Sequence, residues 1–590
     1  MAHKDIEKMT DSEHREEVDR NEVDLVDPDG DHVDASAVGG DLADLPKGYY
    51  TNWRFIGSLA AVSFMAQGLY LGYVLPATTI GIINADVGPN PNYVLIPTVK
   101  TLTTGIGLTL VGRLSDIFGR RWFMIGGCSL GILGSIINAT AHNIPTIIGG
   151  TVFVGLAGAV QTSFSFVLME LVANKHRPAI TAFLFLTTVP FAAFGAVIAR
   201  LFVQYTELAW RWNYYLNLIT QVIAVVLFFF CYHPPSYSQL HVGKSLWKQL
   251  GELDYGGITL FVGGLVSLVL GLSWGGGLYP WTSPSVIAPI VVGIVTLAVF
   301  AVYEIFVPQK YPLIPMSLFR NTRWLALAGV AAVATMFYYS LTVIWPQMIT
   351  SLYSSKNIEI GLMSGTVGGA IAFGQVIGAL TVKWGWGHWQ LRICGLAMCG
   401  FVGAMASCDV STRDRGIILT TLGSFAVGVI EVIAIIAAPF TVPPKDLGLA
   451  SGVLGSCRSV LGSIALAIFS SILNTKKRSE IPPRIQSVAQ DEGLSSTSTA
   501  ALVKAGLAGL TSTFTKIPGV TTGNVGKFIR AVQNGNVVAY HTVFYASLAF
   551  GGLAVICAFC TKSFNEHFTD RVDRRLQGAG KATEKVKETA

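Results

Sequence analysis

Apolar runs of roughly membrane-spanning length recur along this chain from about residue 55 to residue 561, separated mostly by short polar or Pro- and Gly-containing stretches. A hydrocarbon layer about 30 Å thick needs roughly 20 apolar residues per crossing helix. Inside it, every backbone N–H and C=O must be paired within a helix or a closed barrel. The pattern predicts fourteen spans: 55–80, 93–112, 122–142, 145–172, 178–203, 213–232, 256–274, 286–307, 324–347, 361–382, 391–408, 416–440, 449–473 and 540–561. One interval breaks the rhythm. Residues 474–539 are rich in Ser, Thr and Gly, with a weakly amphipathic patch from Thr499 to Phe514, and read as a long tethered external loop.

Composition supports the pattern. Of 590 residues, 51% are hydrophobic and 13% charged, where a soluble protein carries charge on roughly 25%. That excludes a soluble enzyme, a secreted disulfide scaffold and a disordered chain. The 63 glycines suit helices packed closely in lipid.

Charge is unevenly spread. Residues 1–50 hold 15 acidic and 5 basic side chains, a balance of −10 within a total of +6. So acidic and apolar-poor a segment reads as a disordered tail. Asp27, Asp29 and Asp31 imitate a calcium loop, but His32 and Val38 occupy its glycine and glutamate positions. The acidic start also lacks the apolar core of a signal peptide. With both termini cytoplasmic, the inner short loops and helix ends hold 13 Lys or Arg and the outer ones 5, as the positive-inside rule requires.

The sharpest motif is Gly112-Arg-Leu-Ser-Asp-Ile-Phe-Gly-Arg-Arg121, after span 2. Gly112 and Gly119 permit a tight reversal. Asp116, Arg120 and Arg121 supply a charged contact that sliding helices can break, which makes the five a candidate conformational latch. A plain basic turn accounts for the arginines but not for this joint spacing.

The decapeptide closely resembles the G-x-L-x-D-x-x-G-R-R signature of the major facilitator superfamily. Trp210-Arg-Trp-Asn-Tyr-Tyr-Leu-Asn217, Leu272-Ser-Trp-Gly-Gly-Gly-Leu-Tyr-Pro-Trp281 and Pro312-Leu-Ile-Pro-Met-Ser-Leu-Phe-Arg320 resemble motifs of its fourteen-span drug:proton antiporter branch. With Tyr232-His-Pro-Pro-Ser-Tyr-Ser-Gln-Leu-His241, the set most resembles the fungal trichothecene efflux pump family; siderophore transporters share much of it. Two departures stand out: Thr151 precedes Gly155 where the superfamily has an arginine, and Val189-Pro190 replaces Gly-Pro.

The resemblance implies an all-α polytopic membrane protein with the major facilitator fold. A six-helix bundle (51–232), a linker with two helices (233–310) and a second six-helix bundle (311–561) would lie between the acidic tail (1–50) and a cytoplasmic tail (562–590). It further implies alternating access in a monomer, most simply in the plasma membrane, with protons and a small organic molecule as partners. The expected function is proton-coupled efflux of an organic metabolite or toxin. The alternative is uptake of iron–siderophore complexes, with Lys100, Tyr540 and His541 as groups that would favour an anionic chelate.

In this fold spans 1, 4, 9 and 12 line a central cavity. Their polar residues are Ser63, Gln67 and Tyr70; Gln161 and Ser165; Tyr338, Tyr339, Trp345 and Gln347; and Glu431. Amides and aromatics with few charges suit a bulky, mostly neutral molecule. Ionisable residues inside spans are costly and mark function. They are Lys100, placed with the substrate cavity, Glu431 and Arg458. Glu431 lies nine residues from the inner end of span 12 and Arg458 nine from the inner start of span 13, so both sit about 13 Å deep and are placed to pair. The expectation is that Glu431 carries the driving proton while Arg458 tunes it. Glu170 and Glu304, near inner helix ends, are expected to face water.

No enzyme signature is present. Gly243-Lys244-Ser245 lacks the first glycine of a phosphate loop, where Ser238 stands. Cys557 and Cys560 form a lone C-x-x-C without a second pair or histidine to suggest zinc. No metal, cofactor or nucleic-acid partner is expected.

Overall fold

The computed structural model describes residues 25–26, 32–33, 49–164, 172, 176–234, 250–307, 309, 312–442, 447–509 and 511–563. Nearly all of it is helical. The exceptions are a two-residue antiparallel pairing, Leu25–Val26 with His32–Val33, and a bridge between Gly275 and Tyr279. The rest of the acidic tail, Ser165, Glu170, Gly243–Ser245 and residues 564–590 lie outside the described residues.

Fourteen helices among the described residues are long and apolar enough to cross a membrane. Spans 1–6 pack on one another as one half, and spans 9–14 as the other. Spans 7 (Tyr255–Trp274) and 8 (Pro284–Phe306) form a separate pair, with Phe261 against Phe300 at 5.2 Å between ring centres. Two seams join the halves: span 5 (Arg177–Tyr205) against span 10 (Asn357–Thr381), and span 2 (Leu95–Phe118) against span 13. Along the first seam a Cβ placed on Gly365 would lie 2.2 Å from the Ala193 carbonyl oxygen, and one on Gly368 2.1 Å from that of Ala192. Such close approach is the route by which helices gain packing energy in lipid, where burial of apolar surface supplies little.

The motifs staple helix ends. Span 1 breaks at Gly72–Tyr73 into Trp53–Leu71 and Val74–Val87. Its end is held by Asp86, which accepts from Trp210 Nε1 (2.8 Å) and pairs with Arg211 (3.2 Å). Asn213 donates to Thr79 Oγ1 at 3.0 Å, and Asn217 to Ser135 Oγ at 2.9 Å. After span 7, Gly276 takes φ +70°, and the turn packs on span 13, where Ser471 Oγ donates to the Gly275 carbonyl. Glu304 does not simply face water: its half-buried Oε1 accepts from the N–H groups of Leu313 (3.1 Å) and Ile314 (3.3 Å), which ends the linker.

The largest difference from the sequence reading falls on 474–539. Span 13 is one helix, Leu447–Asp491, and span 14 is another, Val525–Phe559. At 1.5 Å per residue the first is about 67 Å long, twice the hydrocarbon thickness. Their extensions enclose Ser496–Leu507 and a 3-10 turn, Thr511–Lys516, around a small core that includes Ile481, Ile485, Leu502, Phe514 and Phe528. The segment is a folded helical cap. Its apolar spacing at Ile481, Ile485 and Ala489 is helical, but Pro482-Pro483 and the polar run before it disguise the pattern.

Candidate functional site

Glu431 of span 12 and Arg458 of span 13 meet on the side of the second half that opens on a cavity shared with the first. Arg458 lies 2.8 Å from Glu431 Oε1, and both side chains are largely buried. Thr335 completes the contact: its hydroxyl donates to Glu431 Oε1 at 2.7 Å and accepts from Arg458 Nε at 3.0 Å. The second carboxylate oxygen is used as well. Gln375 Nε2 donates to Glu431 Oε2 at 3.1 Å, and its own Oε1 accepts from the Tyr70 phenol at 3.2 Å. Tyr70 belongs to span 1 and Gln375 to span 10. The chain Arg458–Glu431–Gln375–Tyr70 therefore runs from inside the second half across to the first. A carboxylate left unpaired here would be strongly destabilising. In this site both its oxygens have partners.

These groups line a cavity between the two halves. Tyr338, Tyr339, Phe164 and Phe185 give it aromatic walls, and Lys100 reaches it from span 2. A second bond crosses the halves beside it, from the Tyr73 hydroxyl to the Tyr339 carbonyl at 3.0 Å. Farther along, buried Arg200 donates to the Thr78 carbonyl (2.9 Å) and to Asn357 Oδ1 (3.3 Å), joining spans 1, 5 and 10.

Of the expected cavity residues, Tyr70, Lys100, Tyr338, Tyr339 and Glu431 line this space, and Ser63, Gln67, Gln161, Trp345 and Gln347 are not in its lining. Gln161 is buried inside the first half, its amide beside Gly68. Trp345 Nε1 donates to the Met363 carbonyl at 2.8 Å, so it ties span 9 to span 10. Gln67 and Gln347 are half-buried away from the lining. The physical reason is rotation: a polar residue in a six-helix bundle has neighbours on several sides, and sequence does not tell which side opens on the cavity. Gln375 and Thr335 were missed. The only signal was an amide and a hydroxyl within otherwise apolar helices.

In the expected latch, Gly119 turns the chain at φ +78° and Arg120 is buried at the head of span 3. Arg121 stacks on Phe229 (5.3 Å) and donates to its backbone carbonyl, binding span 3 to span 6 within one half. The side chains of Arg113 and Asp116, and the surroundings of Gly112, lie outside the described residues.

A sequence profile of the fungal trichothecene efflux pump family (TRI12) matches residues 15–590. This chain belongs to that family. It is 30% identical over 566 residues to the trichothecene efflux pump TRI12 of Fusarium sporotrichioides, covering 94% of each chain. To the protein of that name from Trichoderma arundinaceum it is 31% identical over 583 residues, covering 95% of each. An MFS-type transporter of the acurin A biosynthesis cluster of Aspergillus aculeatus is 25% identical over 542 residues, covering 88% of this chain and 90% of that one. Among solved structures, the human organic anion transporter MFSD10 superposes with a TM-score of 0.50 at 14% identity, covering 71% of this chain and 94% of that one. That likeness concerns the fold, which is the major facilitator fold. Within the matched region, segments 210–217 and 272–281 are the staples between helix ends described above.

Proposed function

We propose that this protein is a proton-coupled exporter of bulky organic secondary metabolites, working by alternating access as a monomer in the plasma membrane with both termini in the cytoplasm. Membership of an efflux pump family supports the direction of transport, and the basic short loops support the orientation. One observation carries the coupling: a carboxylate in the shared cavity is one amide away from a hydrogen bond between the halves.

Ionised Glu431 only accepts hydrogen bonds, and it receives them from Thr335, Gln375 and Arg458. A proton arriving on Oε2 removes its charge and turns that oxygen into a donor. Gln375 then faces two donors, and its amide turns to offer Oε1 to the new O–H. Oε1 is the atom that Tyr70 uses. Protonation thereby replaces the bond that Tyr70 donates across the seam with one its phenol must accept from Nε2, and weakens the hold of Arg458, which favours separation of the halves on one side. Deprotonation on the other side restores both. Cargo enters the cavity between these events, against the four aromatic walls.

The test uses everted membrane vesicles with an acid interior, offered trichothecenes, other fungal metabolites and labelled iron–siderophore. Accumulation of a metabolite that stops on adding an uncoupler is expected. Accumulation indifferent to the uncoupler would reject proton coupling, and outward movement of siderophore would reverse the assigned direction.

A further inference from the structure

Lys100 is buried to 3% exposure in the second turn of the span 2 helix, where an ammonium away from water is costly. Among the described residues no carboxylate lies within ion-pair distance of it. Its Nζ lies 5.2 Å from the centre of the Tyr73 ring, and its Cε and Nζ run alongside Gly158 of span 4. A cation–π contact offsets only part of the cost of burial.

Two cavities meet at this residue. Besides the central cavity, a narrow pocket lies between spans 1, 2, 3, 4 and 6 on the side where the cap stands, with room for about one water-sized group. Lys100 lines both, and among the described residues no other does. Thr151 lines the narrow pocket, in the position where the sequence lacks an arginine. So do Tyr214 and Asn138, whose hydroxyl and Oδ1 are buried without a hydrogen-bond partner. Lys100 and the Tyr214 phenol can donate into this space while Asn138 Oδ1 accepts, so it suits a small oxygen-rich group that turns its acceptor oxygens to the first two.

We propose that the cargo carries an anionic group, in the simplest case a carboxylate, held by Lys100 at the boundary of the two cavities. Its apolar body lies in the central cavity against Tyr338, Tyr339, Phe164 and Phe185. This rests on the reading of the central cavity as the cargo chamber. With Glu431 neutralised by Arg458, Lys100 leaves the chamber one positive charge in excess, which a monoanion cancels.

The experiment takes the purified full chain in lipid nanodiscs, without any gradient, and titrates dansylglycine and its methyl ester by fluorescence, with empty nanodiscs subtracted. The unmodified protein is expected to bind the acid about tenfold more tightly than the ester. Lys100→Met should abolish the preference for the acid over the ester, and Lys100→Arg should keep it, separating loss of charge from loss of fold. Equal affinity for acid and ester in the unmodified protein, saturable binding of neither, or an unaltered preference in Lys100→Met would each overturn the proposal. Because binding is read at equilibrium, a failure of gradient-driven transport leaves this result standing, and the reverse also holds.

Discussion

Tyr70 and Gln375 stand on opposite halves of the molecule, and the phenol donates to the amide oxygen across the seam at 3.2 Å. The same amide holds Glu431 through its other end. A single side chain thus connects the buried carboxylate to the contact between the halves, and a substitution at either end separates chemistry from movement.

Glu431→Gln keeps the volume and the ability to accept from Thr335, but fixes the charge at zero. Proton-driven accumulation in vesicles is expected to fall by at least about tenfold, as when a proton-transfer group is removed. Full gradient-driven flux in this variant would sink the coupling role of Glu431.

Tyr70→Phe removes one hydroxyl and little volume. A hydrogen bond between membrane helices contributes about 0.6 kcal/mol on average, so the unfolding midpoint in detergent should hardly change. Flux should instead lose its steep dependence on the imposed gradient. If flux and gradient dependence both match the unmodified protein, Gln375 is not a relay.

Gly365→Val places a side chain where the Ala193 carbonyl lies 2.2 Å from the first added carbon. Overpacking of this kind costs about 1–3 kcal/mol, and the helices cannot separate without opening the seam. A lower unfolding midpoint together with reduced transport is expected. An unchanged midpoint would show that the seam has slack.

Trp210→Phe retains the ring contact with Tyr214 but deletes the donor to Asp86. The lost hydrogen bond to a charged group contributes about 1.5–3 kcal/mol, and the volume removed from this buried site adds to it, seen as a fall in the unfolding midpoint with transport per folded molecule unchanged. Loss of transport at full stability would instead give the 210–217 motif a direct part in function.

Glu492 lies beyond the end of the span 13 helix, in the cap. A hydrogen bond from Lys527 holds its carboxyl below the usual range. A depressed carboxyl contributes stability above its unfolded pKa, about 4.3, and that contribution is lost as pH falls through the folded value. Amide-exchange protection in Ser496–Leu507, corrected for intrinsic rates, should hold from pH 7 to pH 5 and decline below about pH 4. Glu492→Gln should flatten the acid decline; a decline of the same size would place its cause elsewhere.

The fourteen helices were legible in the order of residues because a bilayer imposes one dominant demand, a length of apolar side chain with its backbone paired internally. The pairing of Glu431 with Arg458 was legible too, since consecutive helices of opposite direction have a common depth scale. Lys100 announced itself by cost alone. The tertiary structure decided what one-dimensional spacing does not contain: the direction each side chain faces and the contacts it makes across the seams. Gln161 and Trp345 turned from cavity to packing, while Gln375, an unremarked amide, came to lie between a carboxylate and the opposite half. The cap followed the same logic. Its helices are stabilised by residues as distant in sequence as Ile481 and Phe528, and a core of that kind exists only once the chain has brought both ends together.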